Sequence, residues 1–485
     1  MSTKTAEAPG NPVAPVGRKT PAKARILRTE LRRSTALWLG GLLLVGSLAG
    51  LELMSGPWTK GAESWTAQWT STAWWERFLL VILWPLAVAG GAVQGLRDHR
   101  SGTSELLSAT SRPPWHRAAR TAGASALTLS VAYLLVFGYG GVRALVNDGY
   151  TGLSWLPILL VGALAMVAGA WLGMGVTRTL PSALTPPVLA VAALMTSVLL
   201  SDVVLKDVVP NGIMLLTPSL SLVHSEFLTV SWRVNAGQAL WLLGVAATGF
   251  LLLVAGKPRA RLLALLPMVL GAAVALPVLP SDPERNYVVD TAAAELVCDG
   301  RVCVTRLHEQ RLAALTGPAE EALRLLGRLP DPPSAVHESV DAWPRDTKRP
   351  RTADVVPVDF EAQALDHTTG DESTRTLLGG AGTAPCLEAE LTDPTEEELR
   401  AYDETRVVRE LAARTVAAAW FTGDLKPLAG TLWLRADVDA LTRPAWNALR
   451  ALPADEQRLR IAALRTAALS CDGDLLTVLA DGGPR

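Results

Sequence analysis

The chain has little charge. Asp, Glu, Lys and Arg make up 19% of its 485 residues, against about 25% in an ordinary soluble protein. Hydrophobic residues make up 49%, and charge is missing altogether from the windows 34–51, 78–96, 121–142, 149–177, 179–201, 234–256 and 262–281. A helix that crosses a bilayer takes about 20 mostly apolar residues. Each window supplies one, so the deficit reads as a helical polytopic membrane protein with seven transmembrane helices.

Other absences narrow the chemistry. There is no GxxxxGK[ST] loop to cradle phosphates, so nucleotide hydrolysis is not expected from this chain. There is no GxSxG nucleophile elbow. HEQRL at 308–312 places Leu312 where a zinc peptidase of the HExxH kind has its second histidine. The acidic residues after position 281 lie in charged helical runs that read as solvated faces, and spacing assigns no partner to His308, His337 or His367. No catalytic residue, metal site, cofactor or nucleic-acid partner is predicted.

Cysteine is scarce and confined. All four cysteines, Cys298, Cys303, Cys386 and Cys471, follow the last apolar window. An even number restricted to one region reads as two disulfides in an oxidising compartment. VCDGRVC has a turn at Asp299-Gly300 that brings its ends together, which favours Cys298–Cys303 and Cys386–Cys471 among the three pairings.

Positive charge fixes the sidedness. Residues 1–22 read as a disordered cytoplasmic tail, and Arg18, Lys19, Lys23, Arg25, Arg28, Arg32 and Arg33 precede the first span. Alternate loops then hold Arg97, Arg100, Arg112, Arg117 and Arg120, then Arg178, then Lys257, Arg259 and Arg261; the other set holds only Lys60, Arg77, Arg143, Lys206 and Arg233. By the positive-inside rule the N-terminus is cytoplasmic and the region after the seventh span is extracytoplasmic, in a multi-pass plasma-membrane protein. The charge-free stretch 208–225 is broken by Pro210, Asn211, Gly212 and Pro218. It reads as one or two short helices dipping in from the outer face, tolerable where protein buries them. Trp58, Trp65, Trp69, Trp74 and Trp75 read as interfacial anchors. The spans hold few ionisable groups: Glu52, Asp202 and Lys206 lie near outer ends, with Asp202 and Lys206 spaced to pair. That argues against an ion-coupled transporter.

The loop RDHRSGTSELLSATSRPPWHR, 97–117, carries a short helix by its own chemistry. Ser101 or Thr103 caps it, Glu105 suits the positive end of its dipole, and it stops before Pro113-Pro114. With its Gly-Thr, Glu-Leu-Leu and following Pro, this loop resembles the signature loop of type 2 ATP-binding-cassette (ABC) transporter permeases, although Asp98 stands where that family usually has Glu and two prolines replace one. The resemblance covers residues 22–256, with KARILRTELRRS as an interfacial helix and 208–225 as the re-entrant piece. It implies a six-helix permease-like membrane domain over 23–256 with a coupling helix near 98–112. Asp98, Gly102, Thr103, Glu105, Leu106 and Leu107 would then couple to a cytoplasmic ATP-binding-cassette ATPase subunit, which holds the ATP and Mg. A second permease subunit, the same or different, and membrane lipid are the other implied partners.

The seventh helix is expected over 257–280 and an α+β soluble domain over 281–485. RVCVTRL, ADVVPVDF and TLWLRADV read as strands. Thr395 and Glu398 make a capping box for a helix reaching Phe421, and helices fit 436–450 and 455–470; 329–357 and 366–385 read as loops. The expected function is an export permease. The alternative is a membrane-anchored sensor or scaffold presenting an outer binding domain.

Overall fold

A computed structural model describes residues 36–54, 65–100, 114–147, 149–200, 208–221, 225–340, 351–360, 365, 368–386, 404–429 and 435–481. The tail 1–22, the segment Lys23–Ser34, Trp58, the Asp202/Lys206 pair and the capping box at Thr395 lie outside the described residues.

Every charge-free window folds as helix. In chain order these are α1 (Ala36–Met54), α2 (Trp69–Arg100), α3 (Pro114–Val146), α4 (Trp155–Thr179), α5 (Thr185–Leu199), the short α6 (Asn211–Met214), α7 (Trp232–Val254), and α8 (Pro258–Leu263) followed by α9 (Leu266–Val278). Five stretches are long and apolar enough to cross a membrane: Trp69–Arg97, Trp115–Val146, Trp155–Thr179, Trp232–Val254 and Pro258–Val278. Leu37–Leu53 and Thr185–Leu199 are shorter apolar helices.

Contacts fix the helix directions. Glycines let α2 and α4 touch backbone to backbone: a Cβ at Gly91 would collide with the Ala170 carbonyl, and one at Gly173 with that of Val88. Such small-residue seams are how helices associate in a solvent as apolar as their side chains. Gly91 sits by Ala170 and Gly95 by Met174, so α2 and α4 run the same way. So do α1 and α3, where Gly40 meets Thr128 and Glu52 meets Tyr139 at 2.7 Å. Gly50 packs on Leu79 and Gly90 on Leu39, so α1 opposes α2; Gly237 packs on Leu279 and Gly244 against Pro267, so α9 opposes α7. One end of the bundle therefore gathers Arg100, Pro114, Thr179 and Lys257; the other gathers Trp69, Trp155, Trp232 and Leu279.

Trp65, Trp74 and Trp75, expected as interfacial anchors, are core residues. They are only 2%, 4% and 3% exposed. Trp74 packs tilted against Tyr287 at 4.9 Å and Trp69 against Trp155 at 5.4 Å. These rings glue α2 to α4 and to the segment after α9, because apolar area is withdrawn more completely against protein than against headgroups.

That segment carries the C-terminal domain, which lies beyond the tryptophan-bearing end of the bundle and is outer in that sense alone. Strand β1 (Leu228–Val230), just before α7, pairs antiparallel with β2 (Tyr287–Val289), just after α9. Next comes a sheet in the order β3 (Leu296–Asp299), β4 (Val302–Thr305), β5 (Ala335–Glu338), β6 (Val355–Val358). β3 and β4 form a hairpin that places Cys298 opposite Cys303, with Gly300 at φ +61°, a conformation glycine adopts without strain. β4, β5 and β6 run parallel, and α10 (Leu312–Leu326) makes the β4–β5 crossover. Val304, Val336, Val356 and Val358 face a core closed by α10, α11 (Asp371–Leu377), α12 (Glu404–Thr422), α13 (Arg435–Arg450), α14 (Ala454–Ser470) and α15 (Leu475–Asp481).

Several expectations shift here. The stretch taken as a loop, 329–357, contains β5 and the start of β6, and 366–385 contains α11. The expected strand TLWLRADV is helix from Arg435 onward, because Val438 and Leu449 fall on one buried helical face with Trp446. Both favoured disulfides form, with Cα atoms 4.0 Å apart for Cys298–Cys303 and 5.6 Å for Cys386–Cys471.

Candidate functional site at the junction of bundle and outer domain

The coupling residues divide at the edge of what is described. Asp98 lies in the last turn of α2, while Gly102, Thr103, Glu105, Leu106 and Leu107 fall outside the described residues. The connection they belong to leaves α2 at Arg100 and enters α3 at Pro114, at the end of the bundle away from the outer domain. That end also bears Arg117, Arg120, Arg178, Lys257, Arg259 and Arg261.

At the opposite end, two buried polar side chains hold the broken segment 208–221. The sequence reading placed Arg77 in a loop; it lies inside α2 and is fully buried. Its Nε and Nη2 donate to the Pro218 carbonyl at 3.0 and 2.8 Å, its Nη1 to that of Ile158 at 3.2 Å, and its Nη2 to Oε1 of Gln238 at 2.6 Å. Gln238 Nε2 in turn donates to the carbonyls of Leu215 and Thr217 at 3.0 and 2.9 Å. A chain broken by Pro210 and Pro218 exposes carbonyls that lipid cannot satisfy. Arg77 and Gln238 satisfy those of Leu215, Thr217 and Pro218, which is how the irregular part of this segment stays buried. Asn211 and Asn286 exchange amide hydrogen bonds at 2.8 and 3.1 Å and tie the same segment to the start of the outer domain. Glu76, next to Arg77, is also buried, and its carboxyl oxygens have no hydrogen-bond partner among the described residues. The helix ends read from sequence stopped short of both residues, so an acid and a base inside α2 went unseen.

Above this network, three segments bring Glu226, His308 and Glu338 together, with ligand-type atoms within 4.8 Å of one another. Glu226 comes from the connection before β1, and the Gln68 side chain holds its carbonyl at 2.7 Å. His308 lies in the 3-10 turn Arg306–Arg311, and Glu338 ends β5 on its core-facing side. Both are buried. Glu338 Oε1 is 2.5 Å from His308 Nδ1, and its Oε2 accepts the Thr305 amide at 2.6 Å. His308 Nε2 stands 3.5 Å from Glu226 Oε1. The imidazole is walled by Phe360 at 4.7 Å and by the edge of Phe227 at 6.3 Å. Arg311 lies over Phe360 at 5.0 Å. Burial lowers the Arg311 guanidinium below its ordinary value, and the charges of Glu226 and Glu338 pull it back up.

Spacing in the sequence gave His308 no partner and no metal site. The parallel β4–β5–β6 register supplies Glu338, and the docking of the outer domain on the bundle supplies Glu226. A buried acid ending the strand AVHE is the one signal that could have pointed here. Searches of known protein families, of curated proteins and of solved structures find no match to this chain.

Proposed function

We propose that the chain is the transmembrane permease subunit of an ATP-driven ABC transporter that exports its substrate, with ATP hydrolysed by a separate cytoplasmic subunit. The observation that carries this reading is the address of the connection between Arg100 and Pro114. It joins two helices of 32 and 33 residues at the basic end of the bundle, opposite the disulfide-bearing domain. The positive-inside rule assigns that end to the cytoplasm, and the disulfides suit an oxidising compartment at the other. The two arguments are independent and agree. A motif-bearing loop at the cytoplasmic tips of two tightly seated helices suits docking by an ATPase. The close α2–α4 seam at Gly91, Gly95 and Gly173 gives α2 a rigid path from that loop to Arg77 and the re-entrant segment.

In this reading Asp98, Gly102, Thr103, Glu105, Leu106 and Leu107 couple the chain to the ATPase. Exposed apolar positions on α5, among them Val188, Val191 and Met195, are covered by lipid or by a second permease subunit. The outer domain, clamped to the bundle through β1–β2, Asn211–Asn286 and the Ser154–Asp290 hydrogen bond, moves with the re-entrant segment and gates it. Affinity purification of the full chain from its native membranes tests the assignment. A P-loop ATPase recovered in stoichiometric amount is expected. Recovery of envelope proteins with no ATPase would favour the second reading, a membrane-anchored sensor or scaffold, which the same clamp would also serve.

A further inference from the structure

Transport as proposed makes no use of the Glu226–His308–Glu338 cluster. Glu338 is fully occupied in holding the ring: one oxygen takes Nδ1–H of His308 and the other takes the Thr305 amide. With the proton on Nδ1, Nε2 of the neutral ring is an acceptor. It faces another acceptor, Oε1 of Glu226, at 3.5 Å, beyond the 2.7–3.2 Å of an N–H···O bond. Two acceptors turned towards each other beside a buried ring leave a place for a cation between them, in addition to the Arg311 guanidinium on which both carboxylates act. Two ligands each about 2.1 Å from a tetrahedral zinc ion stand roughly 3.4 Å apart, which matches the observed separation. A carboxylate that fixes the far nitrogen of a metal-bound imidazole is the usual supporting arrangement. The Thr305 hydroxyl, on the residue whose amide grips Glu338, is buried with no hydrogen-bond partner among the described residues.

We propose that His308 Nε2 and Glu226 Oε1 bind a divalent transition-metal ion of the zinc class, with Glu338 as the orienting carboxylate and water completing the coordination. Glu226 belongs to the connection entering α7 and His308 to the outer domain, so the ion fastens the domain to the bundle. The imidazole ligand suits zinc better than calcium or magnesium.

The test uses the full-length protein in detergent, stripped with a chelator and titrated with zinc chloride. Bound metal is counted by mass spectrometry after desalting, and the thermal midpoint is followed. Wild type is expected to retain one zinc per chain and to gain thermal stability on loading. His308→Ala and Glu226→Gln abolish both effects, and Glu338→Gln weakens binding about 10–100-fold. Cobalt in place of zinc gives a visible-absorption band in wild type alone. Because Glu226 is only partly buried, Glu226→Gln keeps the test open should His308→Ala fail to fold. Zinc retention unchanged in Glu226→Gln, or no saturable binding by wild type, overturns the proposal. So does stability that follows pH but not zinc, which would make the bridging cation a proton on His308.

Discussion

Nη2 of Arg77 and Oε1 of Gln238 meet at 2.6 Å inside the bundle, and the two side chains together donate to the carbonyls of Ile158, Leu215, Thr217 and Pro218. One charged fork and one amide thereby stabilise a stretch of backbone that has no helical partners. Gln238→Leu leaves two of those carbonyls bare, and at about 1–3 kcal/mol per unsatisfied buried group the expected loss is about 2–6 kcal/mol. Arg77→Met is expected to cost at least as much. Arg77→Lys recovers only part, since an ammonium lacks the planar fork. Thermal unfolding of the purified protein in detergent checks all three, and unchanged midpoints would remove this network from the account.

The seam between α2 and α4 is equally specific. Gly173 faces the Val88 carbonyl and the Ala92 amide with no room for a Cβ. Gly173→Leu is therefore expected to force the helices apart and to yield aggregated or protease-sensitive protein. The same change at Gly41, where a Cβ would meet nothing within 4 Å, is expected to be tolerated. Size-exclusion profiles of the two variants make the comparison.

Much of the bundle was legible because a charge-free window of span length folds as helix almost regardless of context. The ends were not. Glu76 and Arg77 looked like a loop boundary, but Arg77 is stabilised inside α2 by groups far along the chain, at Pro218 and Gln238. Trp65, Trp74 and Trp75 carried the composition of an interfacial belt, and only tertiary partners such as Tyr139 for Trp65 and Tyr287 for Trp74 decide that they are core. In the outer domain the hairpin at Asp299-Gly300 was readable from its turn, whereas β5 was hidden in a stretch rich in Pro and Asp. Its strand character comes from pairing with β4 and β6. The His308–Glu338 contact depends on that same register, so local pattern could not reveal it.

The long-range disulfide is expected to matter most for the outer domain. Cys386–Cys471 closes a separation of 85 residues, whereas Cys298–Cys303 spans 5. Closing a loop of that length stabilises by roughly 4–5 kcal/mol in the chain-entropy account. Cys471→Ser is predicted to lower the unfolding midpoint markedly and Cys303→Ser about half as much, since the same relation gives about 2 kcal/mol for the short loop, as limited proteolysis at rising temperature would report. Equal effects would contradict the ranking.

Acid should loosen the outer domain at Asp424. Hydrogen bonds from Lys426 and Arg375 hold its carboxyl down from 3.8 to about 2. The folded state thus favours the ionised form. Its contribution is complete above the ordinary carboxylate value and is lost as pH falls from about 4 to about 2. The Asp424 side chain is 47% exposed, so the effect is under about 1 kcal/mol. Asp424→Asn is predicted to lower stability slightly at pH 7 and to flatten its decline between pH 4 and 2. A parallel decline in variant and wild type would exclude this role.

The account's central claim is that the connection 101–113 receives the movement of a separate ATPase. The most direct measurement is ATP hydrolysis by the assembly purified from native membranes, comparing wild type with the double variant Leu106→Asp, Leu107→Asp. The account predicts that the variant folds with an unchanged thermal midpoint but loses the co-purifying ATPase or its stimulated hydrolysis. Undiminished recovery and hydrolysis with the double variant would contradict it.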